Sequence, residues 1–352
     1  MNIILTKIKF ETDYQEGAHP KILERLIQTN LEQTSGYGID YHCEKSKKLM
    51  QDLMAKPNSK IFYMIGGTQV NSTVIKFLLR PYEGVVAIKS GHINTHESGA
   101  IEATGHKILT IEGHNGLMKA DDLRKYLEDF YADSAYEHMV QPGMVYISHS
   151  SEYGTIYTKQ NLCDIKSVCK DYNLKLFIDG ARLGTALTSE KSDMTLKDIA
   201  DIADVFYIGG TKNGALYGEA IVFPDAEKFD LKSFRTLIKQ KGGLLAKGRI
   251  VGIQFEVLFE DGLYFENAKH SNSQAMKIKK AFEDSKIPFL FESFTNQQFP
   301  ILTKEQHKKL SENFDYEVWE PVGEDKICVR FCTSWATTDE NVNKLINAIK
   351  NL

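Results

Sequence analysis

The feature that most constrains the fold is a regular alternation of short apolar segments with longer helical ones between residues 60 and 225. Runs rich in β-branched and aromatic residues occupy positions 60–64, 85–88, 107–111, 144–148, 174–178, 205–208 and 220–223. Segments with helical periodicity lie between them, including 119–132 and 159–172, and Thr158 is a suitable N-cap for the latter. This alternation is typical of βαβ units. We therefore predict an α/β fold whose large domain has a mostly parallel seven-stranded sheet flanked by helices.

The pattern changes after Pro224, where helical segments at 231–241, 249–261 and 265–285 follow one another without strands. From residue 288, strand-like segments return at 297–302, 316–320 and 326–331, with helical segments at 304–312 and 339–352. This change predicts a smaller α+β C-terminal domain. We expect an N-terminal segment (1–20) that contributes to the active site, a large domain (21–250), connecting helices (251–287) and a small domain (288–352). No linker is rich in Pro, Gly or Ser, so the two domains are expected to pack together.

Charge and cysteine content narrow the class of partner. The 352 residues include 43 Lys and Arg against 47 Asp and Glu, which leaves a formal net charge of −4. Such a chain has no positive field to attract nucleic acid, so we expect a small-molecule partner. The five scattered cysteines favour neither a disulfide framework nor a zinc knuckle. No signal-peptide pattern or apolar stretch of about 20 residues occurs, so we expect a cytoplasmic protein with no membrane partner.

Ligands of open parallel sheets bind beyond the carboxyl ends of the strands, so the residues that follow each strand are the candidates. After the segment 60–64 comes Ile65-Gly-Gly-Thr68, which leads into a helical segment. Glycine lets backbone amides approach an anion, and the helix N-terminus supplies free donors with a partial positive charge. A plain strand-to-helix turn explains the same residues, and neither a Walker loop nor a dinucleotide-binding fingerprint occurs in the sequence.

Two further strand ends carry residues that are unusual at buried positions. Asp179 ends an apolar strand, and a buried carboxylate is costly unless a cation or hydrogen-bond donors meet it. Capping of the next segment beside Arg182 is the alternative. Lys212 lies in the glycine-flanked turn 209–214, where an enclosed lysine deprotonates readily and forms Schiff bases with carbonyls, although a solvated loop lysine is the usual case. An anion-binding turn, a buried carboxylate and a reactive lysine are together what pyridoxal 5'-phosphate (PLP) requires.

The fourth candidate position, residues 90–97, follows the strand-like segment 85–88 and contains two histidines. His92 and His96 have the spacing to share a helix face and bind a metal beside Glu97, but no third ligand at a familiar spacing follows and HExxH is absent. We therefore predict no metal site. Instead, we expect His92 to lie over the pyridine ring of the cofactor and His96 to be a structural histidine.

Together these motifs resemble the low-specificity L-threonine aldolases, which belong to the β-eliminating lyases among the fold-type I PLP enzymes. The resemblance covers about residues 8 to 345 and rests on Asp179-Gly-Ala-Arg182, Gly210-Thr-Lys212-Asn-Gly214, Gly66-Gly-Thr-Gln-Val-Asn71, His92 with Glu97-Ser-Gly99, and Tyr37-Gly38. It implies a PLP-binding large domain and cleavage of an L-β-hydroxy-α-amino acid, threonine or allo-threonine, to glycine and an aldehyde. The alternatives are another PLP-dependent β-eliminating lyase or aminotransferase, a non-catalytic PLP-binding protein, and a cofactor-free Schiff-base aldolase.

The resemblance also implies roles for individual residues. Lys212 would attach the cofactor covalently, Asp179 would pair with the pyridine nitrogen, and Gly67 and Thr68 would hold the phosphate. The implied cofactor-binding residues are Gly67, Thr68, His92, Asp179, Lys212, Lys241 and Arg249. The implied substrate-binding residues are Thr12, Tyr37, Arg182 and Arg330, of which the two arginines would bind the α-carboxylate. The family is oligomeric with sites at subunit interfaces, so we expect a homodimer or homotetramer in which Tyr37, Lys241 and Arg249 reach a neighbouring subunit's cofactor.

The chain departs from the family pattern at the residue that handles the substrate hydroxyl. A histidine of the family is matched by Glu152, and the histidine after the carboxylate-binding arginine is matched by Ser334. We expect Glu152 to join Lys212 and His92 as a catalytic residue, as the base that accepts the β-hydroxyl proton. His149 is the competing candidate, although strand alternation points it away from the face of Ser148. An exposed loop position for Glu152 is the alternative.

Overall fold

The structure is a computed structural model that describes residues 7–352, so the first six residues of the predicted N-terminal segment lie outside it. Its strands are β1 Ile8–Lys9, β2 Lys60–Met64, β3 Glu83–Ile88, β4 Ile108–Ile111, β5 Gln141–Ser148, β6 Lys175–Asp179, β7 Val205–Gly209, β8 Glu219–Phe223, β9 Gln297–Gln298, β10 Ile301–Thr303, β11 Phe314–Asp315, β12 Glu317–Val322 and β13 Lys326–Cys332. Its α-helices are α1 Pro20–Gln28, α2 Tyr41–Met54, α3 Gly67–Leu78, α4 His92–Thr95, α5 Ala120–Ala132, α6 Lys159–Asp171, α7 Leu183–Leu187, α8 Leu196–Ile202, α9 Leu231–Gln240, α10 Arg249–Glu260, α11 Leu263–Asp284, α12 Lys304–Ser311 and α13 Asp339–Ile349. Short 3-10 turns include Thr211–Asn213.

The large sheet contains β2 to β8 in the order β2-β8-β7-β6-β5-β3-β4. The part of the sheet from β7 to β4 is entirely parallel. Strand β8 is antiparallel to both of its neighbours, β2 and β7. The predicted α/β fold with a mostly parallel seven-stranded sheet is confirmed, and each predicted strand overlaps an observed one. The direction of β8 also brings its first residue, Glu219, to the edge where the parallel strands end.

Helices cover both faces of this sheet, because its strands are apolar on both sides. Alternation sends Val85 into a cluster with α3 and α9, and Val86 into the opposite cluster with α5, α6 and α10. Thr158 caps α6 through a capping box, as predicted. No helix within residues 7–352 is long and apolar enough to cross a bilayer.

The small sheet is formed by β9, β10, β12 and β13 and packs against α11 and α13 around a separate apolar core. The predicted strand at 297–302 is wrong in one respect, since it is divided into β9 and β10. Pro300 lies between them, and a proline has no N–H to contribute to a ladder. The predicted strand at 316–320 is observed as β12, which begins one residue later and continues to Val322.

The N-terminal segment connects the two sheets. Strand β1 pairs in parallel with β11 of the small domain, and the amide of Cys332 donates to the carbonyl of Phe10 at 2.8 Å. A few residues later the carboxylate of Asp13 reaches Arg182, which follows β6 of the large sheet. The segment therefore passes directly over the edge at which the parallel strands end.

Candidate active site

A cavity of about 610 Å³ opens at the carboxyl edge of the large sheet, between that sheet, the small domain and the N-terminal segment. The carboxyl ends of β2, β3, β5, β6 and β7 meet there, so residues distant in sequence become neighbours. The predicted site residues that line it are Thr12, Gly67, Thr68, His92, Glu152, Asp179, Arg182, Lys212 and Arg330. Tyr37, Lys241 and Arg249 are not among the described residues that line it.

Asp179 is a buried carboxylate that is fully supplied with donors. Its Oδ2 accepts from Tyr146 Oη at 2.6 Å and from Asn71 Nδ2 at 3.0 Å, and its Oδ1 accepts from Tyr207 Oη and a backbone amide. Burial raises the pKa of Asp179, but His92 and the tyrosine hydrogen bonds outweigh burial and hold the pKa below its usual value. The expectation that donors or a cation meet this carboxylate is confirmed, and the group is poised to remain ionised.

His92 is joined to Asp179 through two other side chains. Its Nδ1 lies 2.8 Å from Glu97 Oε1, and Asn71 Nδ2 donates to both Glu97, at 2.7 Å, and Asp179. Burial lowers the pKa of His92, but Glu97 and Asp179 raise it by more than burial lowers it. The net shift of the pKa is therefore upward. The ring of His96 stacks on that of His92, with 5.6 Å between the ring centres, and it also lines the cavity. The Nδ1 of His96 is hydrogen-bonded to the hydroxyl of Thr95.

Lys212 stands beside this network in the turn after β7. Burial and the nearby Arg182 lower the pKa of Lys212, against the opposing pull of Asp13 and Asp179. Its Nζ lies 5.9 Å from the centre of the Tyr14 ring, within the cavity. A lysine amine that loses its proton readily has the reactivity that a Schiff base with a carbonyl requires.

The glycines after β2 form an open turn at the N-terminus of α3. No side chain within residues 7–352 caps this helix, whose N-cap Gly66 is extended at φ −155°. A Cβ added to Gly66 would meet nothing within 4 Å, whereas one added to Gly67 would lie 2.9 Å from Tyr207 Oη. Gly66, Gly67 and Thr68 thus place an uncapped helix N-terminus on the cavity wall, as a phosphate-binding turn requires. With Asp179 and Lys212 in the same cavity, the residues present fit PLP.

Arg182 is already held by an acid. Its Nε and Nη2 donate to the two oxygens of Asp13 at 2.7 and 3.0 Å, and both side chains are largely buried. Burial raises the pKa of Asp13, but Arg182 and Lys212 together with hydrogen bonds lower it to about 2. Asp13 therefore fixes one edge of the guanidinium and leaves Nη1 for another anion.

Arg330 approaches the cavity from strand β13 of the small domain. It donates to Gln297 Oε1 at 3.1 Å and to the carbonyl of Glu11 at 3.0 Å, and it forms an ion pair with Glu317. Its guanidinium carbon lies 5.5 Å from the centre of the Trp319 ring, which gives it a cation–π contact. The buried Nε has no partner among the described residues.

Glu152 is enclosed rather than exposed, so the alternative of a solvated loop carboxylate is wrong. Its Oε1 accepts from Ser148 Oγ at 2.6 Å and from the amide of His92 at 3.0 Å. Its Oε2 is buried and has no partner in the described chain. Burial raises the pKa of Glu152 above its ordinary value, with Ser148 opposing the shift.

His149, the competing candidate base, lies on the other side of the chain from the cavity. Its ring is fully buried near Tyr157, at 6.1 Å between ring centres, and it does not line the cavity. Burial lowers the pKa of His149 to about 4. Ser148 lines the cavity and His149 does not, so alternation along the chain separates these two side chains, as the sequence predicted.

The residues expected to reach a neighbouring subunit lie elsewhere in the single chain. Arg249 donates to the carbonyl of Glu32 at 2.7 Å, and the carbonyl of Lys241 accepts from Gln69 at 2.9 Å. Tyr37 is exposed in a turn with φ 61°. These contacts leave their assignment to a neighbour's cofactor as a prediction.

Sequence reasoning missed several side chains of the site. Asn71 and Glu97 lie within motifs that the sequence marked but received no role, while Tyr146 and Tyr207 place a polar hydroxyl among mostly apolar neighbours in β5 and β7. That interruption was the available signal, since a buried hydroxyl needs a partner. Outside the quoted motifs, the sequence also missed Trp319 and Glu219, which line the cavity, and Asp13, which contacts Arg182.

Known proteins resemble this chain in both sequence and fold. The family model of the beta-eliminating lyases matches residues 9–305. A low specificity L-threonine aldolase from Pseudomonas sp. (strain NCIMB 10558) is 28% identical over 354 aligned positions, covering 97% of each chain. The structure of a Leishmania major threonine aldolase superposes with a TM-score of 0.94 at 43% identity, covering 98% of this chain and 99% of that one.

A more distant structure shares the fold alone. A Sphingomonas wittichii serine palmitoyltransferase superposes with a TM-score of 0.73 at 14% identity, covering 98% of this chain and 86% of its own. The match of the family model covers most of the chain, and the structural agreement with the Leishmania protein covers nearly all of it. The chain therefore belongs to the beta-eliminating lyase family, whose members are PLP-dependent enzymes of fold type I.

Proposed function

We propose that this protein cleaves an L-β-hydroxy-α-amino acid, threonine or allo-threonine, to glycine and an aldehyde. The observation that carries the proposal is the unpartnered, buried Oε2 of Glu152, which shares one cavity with Lys212 and Asp179. A retro-aldol reaction needs a base for the substrate hydroxyl in addition to a site for an amino acid, and Glu152 supplies that base. The names of the Pseudomonas and Leishmania relatives support the same reaction.

The cofactor proposed for this cavity is PLP. When bound, PLP stores the electron pair that is released as the Cα–Cβ bond breaks. Lys212 would hold it covalently, the amides at Gly67 and Thr68 would bind its phosphate, and His92 would lie against its ring. Asp179 would keep the ring nitrogen protonated, because the hydrogen bonds to this carboxylate hold it in the charged form.

Two arginines orient the substrate. Arg182, aligned by Asp13, offers Nη1 to the α-carboxylate, and Arg330 approaches from the small domain. Glu317, the present partner of Arg330, is partly exposed and can turn to solvent when a carboxylate arrives. The buried hydroxyl of Thr12 has no partner in the described chain and is available to the same carboxylate.

Glu152 then performs the step that distinguishes cleavage from other reactions of an amino acid. Ser148 and the His92 amide fix Oε1, so Oε2 is the atom that accepts the β-hydroxyl proton. As the proton leaves, the oxygen forms a C=O bond to Cβ, the Cα–Cβ bond breaks, and the aldehyde departs. The glycine that remains recovers a proton at Cα.

The alternatives are β-elimination and transamination, which the same cofactor supports. Incubation of the purified PLP-loaded protein with L-threonine and L-allo-threonine separates them by product. Aldolase activity yields glycine and acetaldehyde in equal amounts, whereas elimination yields ammonia with a 2-oxo acid, and transamination yields a 2-oxo acid without free ammonia. Absence of glycine with both substrates would refute the proposal.

We also propose a cytoplasmic homodimer or homotetramer with sites at the interface. Large apolar side chains are exposed on α1, on the following loop and at the start of α2, namely Leu23, Ile27, Leu31, Ile39 and Tyr41. Tyr37, Lys241 and Arg249 would then complete a neighbour's site. Mixing separately inactive Lys212→Ala and Arg249→Ala proteins tests this, because exchange of subunits would restore activity only if each site uses both chains.

A further inference from the structure

Glu219 is a buried carboxyl group in the cavity that the proposed reaction does not use. It is the first residue of β8, it is 4% exposed, and it lines the same cavity as Gly67, Thr68 and Lys212. Buried carboxyl groups are costly to keep, so this one requires an explanation.

Strand pairing places Glu219 beside the phosphate-binding turn. It is paired with Met64, the last residue of β2 before the turn, and with Gly209 at the end of β7. Two residues further along β8, Ile221 packs in the same cluster as Val70 of α3. Because alternate residues share a face, the side chain of Glu219 lies on the face of the sheet that α3 covers.

The groups that face Glu219 make an ionised carboxylate unfavourable. Asp179 adds a second negative charge, and Tyr207 and Tyr264 are buried phenols that stay neutral. Apolar Phe255 of α10 lies against Gly218, the residue before Glu219. The cation that faces Glu219 is Lys212, whose own pKa is lowered. Burial raises the pKa of Glu219 to about 8, against hydrogen bonds from Thr211 and a backbone amide.

Thr211 gives this carboxyl group a route to a ligand. The Thr211 hydroxyl accepts from the amide of Gly218 at 3.1 Å and lies 2.8 Å from Glu219 Oε1. When Glu219 is ionised, the hydroxyl must donate its proton to the carboxylate. When Glu219 is protonated, the hydroxyl can accept from it as well, and its own proton is then free to point into the cavity.

We propose that Glu219, in its protonated form, belongs to the phosphate-binding site: it donates to the Thr211 hydroxyl, which in turn donates a hydrogen bond to the phosphate ester of the ligand. The inference rests on the proposed function only in placing a phosphate ester at Gly67. An ionised Glu219 beside a phosphate dianion would repel it, so binding of the phosphate takes up one proton when the free carboxyl group is ionised. The affinity of the site for phosphate esters therefore falls at alkaline pH.

Pyridoxine 5'-phosphate tests the inference, because it carries the phosphate but lacks the aldehyde that reacts with Lys212. Its dissociation constant is measured by calorimetry from pH 7 to pH 9 with the wild-type protein and with Glu219→Gln, whose amide is neutral at every pH. Pyridoxine without phosphate is the matched control ligand. With the free carboxyl group titrating near pH 8, wild-type affinity for the phosphate ester is expected to be about tenfold weaker at pH 9 than at pH 7.

The inference is supported if that loss disappears in Glu219→Gln and is absent with pyridoxine. It is overturned if both proteins show the same pH dependence, or if the wild type shows none. A second measurement needs no variant: binding heats in buffers of different ionisation enthalpy are expected to report uptake of about three-quarters of a proton at pH 8.5, and an uptake of zero overturns the inference. Binding without aldolase activity refutes the proposed function alone, whereas no binding at either pH refutes both.

Discussion

Replacing Glu152 by glutamine removes the proposed base while preserving its surroundings. The glutamine oxygen can still accept from Ser148 and from the amide of His92, so the loop keeps its anchors. The nitrogen takes the place of Oε2 and can donate a proton but cannot accept one. Binding of cofactor and substrate should therefore survive, and only transfer of the hydroxyl proton is lost.

The expected loss follows from the value of a positioned base. General base catalysis contributes about 10² to 10⁴ in rate, which corresponds to about 3 to 5 kcal/mol in the activation free energy. The buried setting also gives the wild type a pH dependence. Burial raises the pKa of Glu152, and the base works only when ionised, so cleavage should increase with pH through that raised pKa and then level off.

Two reactions of the same site separate this role from a structural one. Threonine cleavage requires a base for the hydroxyl, whereas exchange of the glycine α-proton with solvent does not. In Glu152→Gln, cleavage should fall by about 10² to 10⁴ and lose its acidic limb, while exchange stays within a few-fold of wild type. The matched control is His149→Gln, which changes a nearby residue outside the cavity and should preserve the ratio of the two rates.

The role of Glu152 as the base is refuted if Glu152→Gln slows both reactions equally, since the residue would then act on cofactor binding or on the fold. It is also refuted if neither rate changes. A selective loss of cleavage in His149→Gln instead would transfer the role to that histidine.

Three further perturbations follow from the same site. Lys212→Ala should abolish covalent cofactor attachment and nearly all turnover; borohydride reduction and peptide mapping of the wild type should find the adduct on Lys212, and an adduct on another lysine would contradict the assignment. Asp179→Asn should still bind PLP, as measured by fluorescence, but should slow glycine proton exchange about tenfold or more. The reason is that the pKa of the cofactor's ring nitrogen would fall without the carboxylate, and each unit of that fall is about 1.4 kcal/mol. Exchange at the wild-type rate would show that Asp179 has a purely structural role. Asp13→Asn leaves Arg182 without its charged partner and should lower the free energy of unfolding by about 3 kcal/mol in urea titrations at pH 7. Because the pKa of Asp13 is lowered to about 2 in the folded state, its contribution is present above pH 4 and should be lost as pH falls from about 4 to 2.

The sequence was most informative about the large sheet, for a physical reason. Strands covered on both faces are apolar throughout, so they stand out between amphipathic helices. Once they are identified, topology alone brings Gly67, Asp179 and Lys212 to one edge. The same logic fails at 297–302 in the small domain, where Pro300 divides a strand-like segment that was predicted to be one strand.

Partners of charged side chains were not predictable in the same way. Asp13 and Arg182 are 169 positions apart, and no periodicity relates them. The connection from Asn71 to Glu97 and Asp179 likewise depends on how three elements pack at their ends. Residues that would act across a subunit interface, such as Arg249, depend on a second chain and cannot be placed from one.

The N-terminal segment has a consequence for how the protein is made. Glu11 is bonded to a residue 319 positions later, Arg330, and Asp13 to one 283 positions later, Asn296. During synthesis on the ribosome, these contacts cannot form until nearly the whole chain has emerged, although the large sheet can assemble earlier. The last contacts to form are then those that align the arginines, so a nascent chain with a finished large sheet would still lack a complete binding site.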